Sequence, residues 1–236
     1  MKCLLVAGLY AAAALAAFPA AAEEFAYEGH RKCSSCHRSQ SESWRGTAHA
    51  KAFDSLAPNH KAEAKRKAGL DPAKDYRQDA QCLGCHTTGH KKDGGYDPKE
   101  PNDYLVGVTC ESCHGPGAQY RLMHRKAGDR FERGGKTTGR EQLAELGQEF
   151  AFQERCNACH MNYEGSPWTH AKPPFTPFTP KVEARYGFAF DKAVRDDKAM
   201  HAHFRLEGAF VGDPVAPFHA EFQAAAKPAD KSRDED

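Results

Sequence analysis

The stretch Cys110-Glu111-Ser112-Cys113-His114 has the form Cys-x-x-Cys-His, and this form occurs three more times, at residues 33–37, 82–86 and 156–160. It is the attachment signature of c-type haem, in which two thiols bind the haem vinyl groups and the adjacent histidine ligates iron. The chain is thus predicted to hold four covalent haems. The predicted attachment residues are Cys33, Cys36, Cys82, Cys85, Cys110, Cys113, Cys156 and Cys159, with His37, His86, His114 and His160 as the first iron ligands.

Two other uses of paired cysteines are open, a zinc site and a disulfide framework. Histidine accounts for only 13 of 236 residues, yet it follows all four cysteine pairs, which favours haem over zinc. The eight cysteines after Cys3 are all used by the four motifs, so no thiol is left for a disulfide.

The first 22 residues have the pattern of a secretory signal. Lys2 supplies the positive charge, residues 4–18 the apolar region, and Ala20–Ala22 the small-residue cleavage site. A retained membrane anchor is the alternative, but the apolar run is shorter than the roughly 18 residues of a spanning helix. We therefore expect a signal at 1–22, a single tetrahaem domain at 23–225 and a charged flexible tail at 226–236, in a soluble periplasmic protein.

The mean hydropathy of −0.75 would ordinarily indicate a weak core. Residues 23–236 provide about 53 residues for each haem, and a segment of that size makes only a marginal core alone. The haems must then form much of the core, close to one another. Closely spaced haems are suited to passing electrons, which is the first functional expectation.

Charge is less decisive, since 33 basic and 32 acidic residues leave the polypeptide almost neutral. Eight haem propionates would make the complete protein acidic. Basic residues nevertheless cluster at 61–67 and 121–140, as solvated faces or as docking patches for a redox partner. Nothing in the sequence suggests nucleic-acid binding.

Hydrophobic periodicity predicts a mostly α domain, a multihaem cytochrome c with a haem-packed core and long irregular loops. Helices are expected at residues 41–56, 59–70, 118–127, 140–150 and 191–208. Gly- and Pro-rich loops are expected at 91–101, 128–139 and 173–180, and no strand is predicted.

Nine further histidines could supply the second iron ligand: His30, His49, His60, His90, His124, His170, His201, His203 and His219. Helical phase favours three of them, because a ligand must face inward with the apolar stripe. On that basis His49, His124 and His201 face inward, whereas His203 lies on the opposite side of the last predicted helix. Three candidates for four irons hint at one haem without a second ligand. For each candidate, the alternative is a buried histidine that makes a hydrogen bond and does not ligate iron.

Outside the haem motifs, the amino-acid sequence of several segments resembles that of the tetrahaem cytochrome c-554 family of ammonia-oxidising bacteria. The resemblance covers nearly the whole mature chain. It rests on residues 47–51 (TAHAK), 110–117 (CESCHGPG), 124–126 (HRK), 162–168 (NYEGSPW), 176–180 (TPFTP) and 199–201 (AMH).

The resemblance implies a mostly helical, haem-packed fold in which three haems have two histidine ligands and the second has one. Carried onto this chain, His49, His124 and His201 are the distal ligands, without assignment to particular haems, and His86 is the sole protein ligand of the open haem. Thr176, Pro177 and Phe178 match the loop over its open face, although a plain proline-rich connector is an alternative interpretation.

The resemblance also implies a role: the protein would accept electrons from hydroxylamine oxidoreductase and pass them towards a membrane-bound quinone-reducing cytochrome, or another membrane-bound or soluble cytochrome c. A second role, reduction of nitric oxide or a related nitrogen oxide at the open haem, is the alternative. The near-neutral polypeptide gives less electrostatic steering than a basic one, so the partner in this host is left open.

Overall fold

The computed structural model describes residues 25–160 and 187–229. The predicted signal, the candidate pocket residues Thr176, Pro177 and Phe178, His170 and the end of the predicted tail therefore lie outside the described residues. Short helices joined by long turns dominate the described part, so the predicted mostly α, haem-packed class is confirmed. None of the helices in these two ranges is long and apolar enough to cross a bilayer.

The helices of the first range follow one another with little intervening regular structure. In chain order they are α1 (Arg31–Ser34), α2 (Arg38–Arg45), α3 (Ala62–Lys67), α4 (Ala80–His86), α5 (Cys110–His114), α6 (Tyr120–Gly134), α7 (Glu141–Glu145) and α8 (Phe152–His160). Single 3₁₀ turns occur at Phe53–Leu56 and Asp103–Leu105.

The second range contains α9 (Phe190–Ala193) and α10 (His219–Ala225). It also contributes one of two short strands that pair in parallel, β1 (Thr138–Gly139) and β2 (Phe210–Val211). No strand was predicted here, because two residues are too few to show alternation. The pair ties the C-terminal part of the chain to the end of α6.

Three predicted helices are shorter in the structure than their periodicity indicated. The segment 41–56 divides because α2 ends at Arg45 and is capped by Gly46, and only a 3₁₀ turn forms further on. The segment 59–70 is helical only in α3, since Asn59 and Lys61 have positive φ angles of 61° and 49°. The segment 140–150 is helical only in α7, which is followed by Gly147 at a φ of 95°.

The predicted boundaries around α6 and α9 were also wrong. Helix α6 continues through the predicted loop 128–139 to Gly134, and Gly135 ends it with a φ of 67°. The segment 191–208 is helical only in α9, and His201 follows in irregular chain.

The predicted tail begins with residues that pack against the domain. Ala226 is buried, and the backbone of Lys227 exchanges hydrogen bonds with His203 and Arg205.

The apolar core of the described chain is small and is built around the second haem motif. Leu83, between Cys82 and Cys85, is fully buried and packs with Leu56, Tyr76, Tyr96 and Leu105. A core of this size agrees with the expectation that polypeptide alone gives little burial per haem.

Candidate haem sites

Each Cys-x-x-Cys-His motif lies on or beside a short helix. Helices α4, α5 and α8 each end at the histidine of their motif, and α1 carries Cys33 of the first. Side chains three residues apart share one face of a helix, so the two sulfurs of a helical motif lie on the same side. None of these eight cysteines is disulfide-bonded.

The thiols of different motifs lie close together and define an order in space. The thiol of Cys33 is an electrostatic neighbour of that of Cys110, which places the first motif beside the third. Cys113 and Cys156 are also electrostatic neighbours, and α5 contacts α8, which places the fourth motif beside the third. Cys85 and Cys159 are neighbours in the same way, and α4 contacts α8, which places the second motif beside the fourth. The motifs are therefore arranged first, third, fourth, second.

The first motif faces His124 on α6. The ring centroids of His37 and His124 are 5.8 Å apart, with the ring planes at 64°. This is about the separation at which two imidazoles share one metal lying roughly 2 Å from each nitrogen. Phe210 of β2 stacks on His124 at 4.9 Å, and Arg140 donates to the carbonyls of Phe210 and Gly212, so the strand pair supports the back of this ring.

The fourth motif faces His49 in the same manner. The ring centroids of His49 and His160 are 5.9 Å apart, with the planes at 70°. Phe188 stacks on His160 at 4.5 Å with the planes only 14° apart, which restricts the rotation of that ring. His49 lies in a turn, not in the helix from which its inward orientation was predicted.

The third motif lies near His201. The pKa of His114 is lowered to about 4, mainly by burial and further by the nearby His201, His37 and His203. The Nδ1 of His201 is 2.8 Å from the carbonyl of Ala202; a carbonyl only accepts, so this nitrogen donates and Nε2 is left available. The sequence thus selected His201 from a helix that does not exist there.

His203 was predicted to face away from His201, and this was wrong. Because the chain is irregular at this point, the two rings lie 5.5 Å apart, and His203 stacks on Phe222 at 4.0 Å. The lower-ranked His30 packs between Trp44 and Tyr104, and His90 contacts the carbonyl of Tyr96.

The second motif differs from the other three. His86 places Nδ1 2.7 Å from the carbonyl of Ala52 and 3.1 Å from Oγ of Ser55, which in turn donates to the same carbonyl at 2.5 Å. His86 therefore donates from Nδ1 and leaves Nε2 available. Among the described residues, neither the ring contacts nor the electrostatic neighbours of His86 include a histidine.

Burial keeps the facing histidines in the form that binds metal. Desolvation lowers the pKa of His124 and of His160 to about 4, each helped by the histidine that faces it. Burial also lowers the pKa values of His37, His49 and His86. These imidazoles are neutral at neutral pH, and the neutral imidazole is the metal ligand.

Glu111, inside the third motif, holds the surrounding loops together. It is 1 % exposed, and its carboxylate accepts from the backbone N–H groups of Gly29 and Gly117, both at 2.7 Å, and of Glu28 at 3.0 Å. Sequence reasoning missed this role, as it missed those of Ser55, Phe188 and Phe210. Of these four residues, only Glu111 could have been recognised in the sequence, because its carboxylate lies between two attachment cysteines.

The described residues fit haem. Four thiol pairs each adjoin a neutral imidazole, and two of these imidazoles face a second ring across a gap suited to one metal. In residues 25–160 and 187–229, no three metal-binding side chains converge on a point where a bare ion would be held. These features define a multihaem c-type cytochrome.

Comparison with known proteins gives the family. The model of the family described as cytochrome c554 and c-prime matches residues 32–115. Cytochrome c-554 of Nitrosomonas europaea is 56 % identical over 235 residues, which cover 99 % of this chain and 100 % of that protein. The chain belongs to the cytochrome c-554 family.

A solved structure agrees with this assignment. The reduced state of cytochrome c554 from Nitrosomonas europaea matches with a TM-score of 0.85 and 59 % identity, covering 88 % of this chain and 100 % of that one. The protein is thus a c-type cytochrome electron carrier whose four motifs hold covalently bound c-type haems.

Proposed function

We propose that this protein carries electrons in the periplasm, from hydroxylamine oxidoreductase towards a membrane-bound quinone-reducing cytochrome. The observation that carries the proposal is the continuous order of the four motifs, in which Cys33 lies near Cys110, Cys113 near Cys156, and Cys159 near Cys85. When bound, each haem supplies an iron that takes up and releases one electron. Haems held by the four motifs would lie in one uninterrupted series with two ends.

The chain's own residues fix the iron environment. We assign His124 as the distal ligand of the first haem, His201 of the third and His49 of the fourth, from their positions relative to His37, His114 and His160. Stacking by Phe188 and Phe210 holds two of these rings, so the ligands need not move as the charge changes. Fixed ligands of this kind suit a carrier, because the transferred electron requires no bond to break.

The partner assignment is tested by rapid mixing with reduced hydroxylamine oxidoreductase. Electrons should reach this protein much faster than they reach an unrelated cytochrome c at the same concentration and ionic strength. Equal rates would remove hydroxylamine oxidoreductase as the partner. Reoxidation by membranes that contain the quinone-reducing cytochrome tests the other end of the series in the same way.

The location is tested by separate measurements. Fractionation of the host should find the haem-containing protein in the periplasm, and N-terminal sequencing should find it starting near residue 23. A mature protein that retains residues 1–22 would contradict the cleaved signal.

The comparisons do not favour the reductase alternative, although no histidine faces His86 among the described residues. The relatives carry the names of cytochromes, and the candidate pocket residues Thr176, Pro177 and Phe178 lie outside the described ranges. Electron carriage is therefore the function that we propose.

A further inference from the structure

The four motifs differ in how close they come to the surface. Cys36 of the first motif is exposed, whereas the other seven attachment cysteines are half-buried. Because a haem would be bound through these sulfurs, the haem held at Cys36 would have the edge nearest to solvent. The first motif is also one end of the series first, third, fourth, second, and so is a natural port for electrons.

Helix α6 borders this port. Its inner side carries His124, which faces His37, and the guanidinium of Arg121 lies near Cys33 and Cys36. Arg121 is itself engaged by Glu28, with Nε and Oε2 2.6 Å apart. The next residue, Leu122, begins the outer side of the helix.

That outer side combines an apolar spot with positive charge. Leu122 is 45 % exposed, and Arg125 and Lys126 are exposed one turn further on. Residues spaced by three and four lie together on a helix, so these three form one patch. From Arg121 to Arg133 the sequence holds five basic and two acidic residues, in a polypeptide with a net charge of only +1.

The second basic cluster, at residues 61–67, is less suited to docking. Lys65 points inward and donates to the carbonyl of Ala57 at 2.6 Å, and Lys67 pairs with Glu63 at 3.2 Å. The neighbouring cysteine, Cys82, is half-buried. The structure thus favours the basic cluster on α6 over the cluster at residues 61–67 as a docking site, a choice that the sequence left open.

We propose that Cys36, Leu122, Arg125 and Lys126, here called the first-motif surface, form the docking site for an acidic redox protein. The partner would present carboxylates around an exposed haem edge, so that opposite charges steer the encounter and Leu122 packs in the contact. One electron leaves the partner's reduced haem, which is oxidised, and the ferric iron held by His37 is reduced. No bond breaks and no proton moves. This inference rests on the proposed carrier function and names the surface that serves it.

The test uses the complete four-haem protein with the double substitution Arg125→Glu/Lys126→Glu. The second-order rate of reduction by reduced hydroxylamine oxidoreductase should fall about tenfold or more at low ionic strength, and the loss should shrink as salt is added. Leu122→Ala should slow the reaction at both low and high salt. The visible spectrum and melting temperature establish that each variant has four haems and is folded.

The matched control is Lys61→Glu/Arg66→Glu, which makes the same charge change at two exposed residues near the second motif. Its rate should stay near that of the unmodified protein. If both double variants slow equally, only net charge matters and the surface is wrong. An unchanged rate for Arg125→Glu/Lys126→Glu would also overturn the proposal.

Small reductants separate this surface from the choice of partner. Reduction by the dithionite anion should be slower in Arg125→Glu/Lys126→Glu, and reduction by the methyl viologen radical cation should be faster, with little change in the control. If that pattern holds while hydroxylamine oxidoreductase fails to react with the unmodified protein, the named partner is wrong and the surface stands. If the rates of reduction by both small reductants are unchanged in Arg125→Glu/Lys126→Glu, electrons do not enter at Cys36.

Discussion

His37 and His124 face each other with 5.8 Å between their ring centroids, although they are 87 positions apart in the sequence. One belongs to an attachment motif, and the other to the inner side of α6, where Phe210 supports it from behind. The long helix, the strand pair and the first motif therefore meet at a single iron position. Replacement of the supporting residues should be visible in the properties of that iron.

His124→Ala should convert one of the four haems from low spin to high spin, because a two-histidine iron loses one strong ligand. Electron paramagnetic resonance of the oxidised protein should show a low-spin signal replaced by a high-spin signal. His60→Ala, at an exposed histidine, should leave all four signals in place. Unchanged spin states in His124→Ala would refute the assignment of this ligand.

Ser55→Ala should raise the midpoint potential of the haem held by His86. The hydroxyl of Ser55 donates to Ala52 and can accept from Nδ1 of His86, which makes the imidazole a stronger donor to ferric iron. Loss of one hydrogen bond of about 0.5–1.5 kcal/mol corresponds to roughly 20–60 mV for one electron. Spectroelectrochemical titration measures the shift, and Ser55→Thr, which keeps the hydroxyl, should restore the original value. If the midpoint potential shifted equally in Ser55→Ala and Ser55→Thr, the effect would come from packing and not from the hydroxyl.

Glu111→Gln should destabilise the protein by about 3 kcal/mol, because an amide NH₂ would oppose a backbone donor where a carboxylate oxygen now accepts. Burial raises the pKa of this carboxyl, while the N–H groups of Glu28, Gly117 and Gly29 lower it. Denaturant unfolding followed by circular dichroism gives the change in free energy. Glu63→Gln, at a carboxylate 77 % exposed, should cost under about 1 kcal/mol. Equal stability of the two variants would show that the buried hydrogen bonds do not hold the loops together.

Leu83→Ala should cost about 2–5 kcal/mol, since it removes a fully buried side chain from the small core around the second motif. Leu70→Ala, at a leucine 39 % exposed, should change the unfolding free energy by roughly 0.5 kcal/mol or less. Both are read from the same denaturant titration. If Leu83→Ala proved as mild as Leu70→Ala, the burial attributed to this cluster would have to come from the haem instead.

The attachment residues and the α class could be predicted because they depend on local spacing and on composition. Cys110, Cys113 and His114 lie within five positions, and their chemistry requires that spacing. His124 was also selected from helical phase, and α6 is indeed a helix whose inner side carries His124 towards His37.

The prediction from helical phase failed where the chain turns instead of continuing as a helix. His49 and His201 were selected as inward-facing residues of helices, yet one lies in a turn and the other in irregular chain. The pairing of His49 with His160 joins residues 111 positions apart, which no local pattern encodes. Glycines at positive φ, such as Gly135 and Gly147, set boundaries that hydrophobic periodicity could not locate.

The closeness of Cys33 to Cys110 and of Cys85 to Cys159 bears on how the protein is assembled. Thiols that lie near each other are prone to form disulfides in an oxidising environment, and a bridge between two motifs would take one sulfur from each. A chain that folded first would therefore disable its own attachment motifs. We expect maturation to run in the opposite order, with each motif receiving its haem while the polypeptide is still open and with folding as the last step. The close packing that joins the haems into one series thus also dictates the sequence of biogenesis.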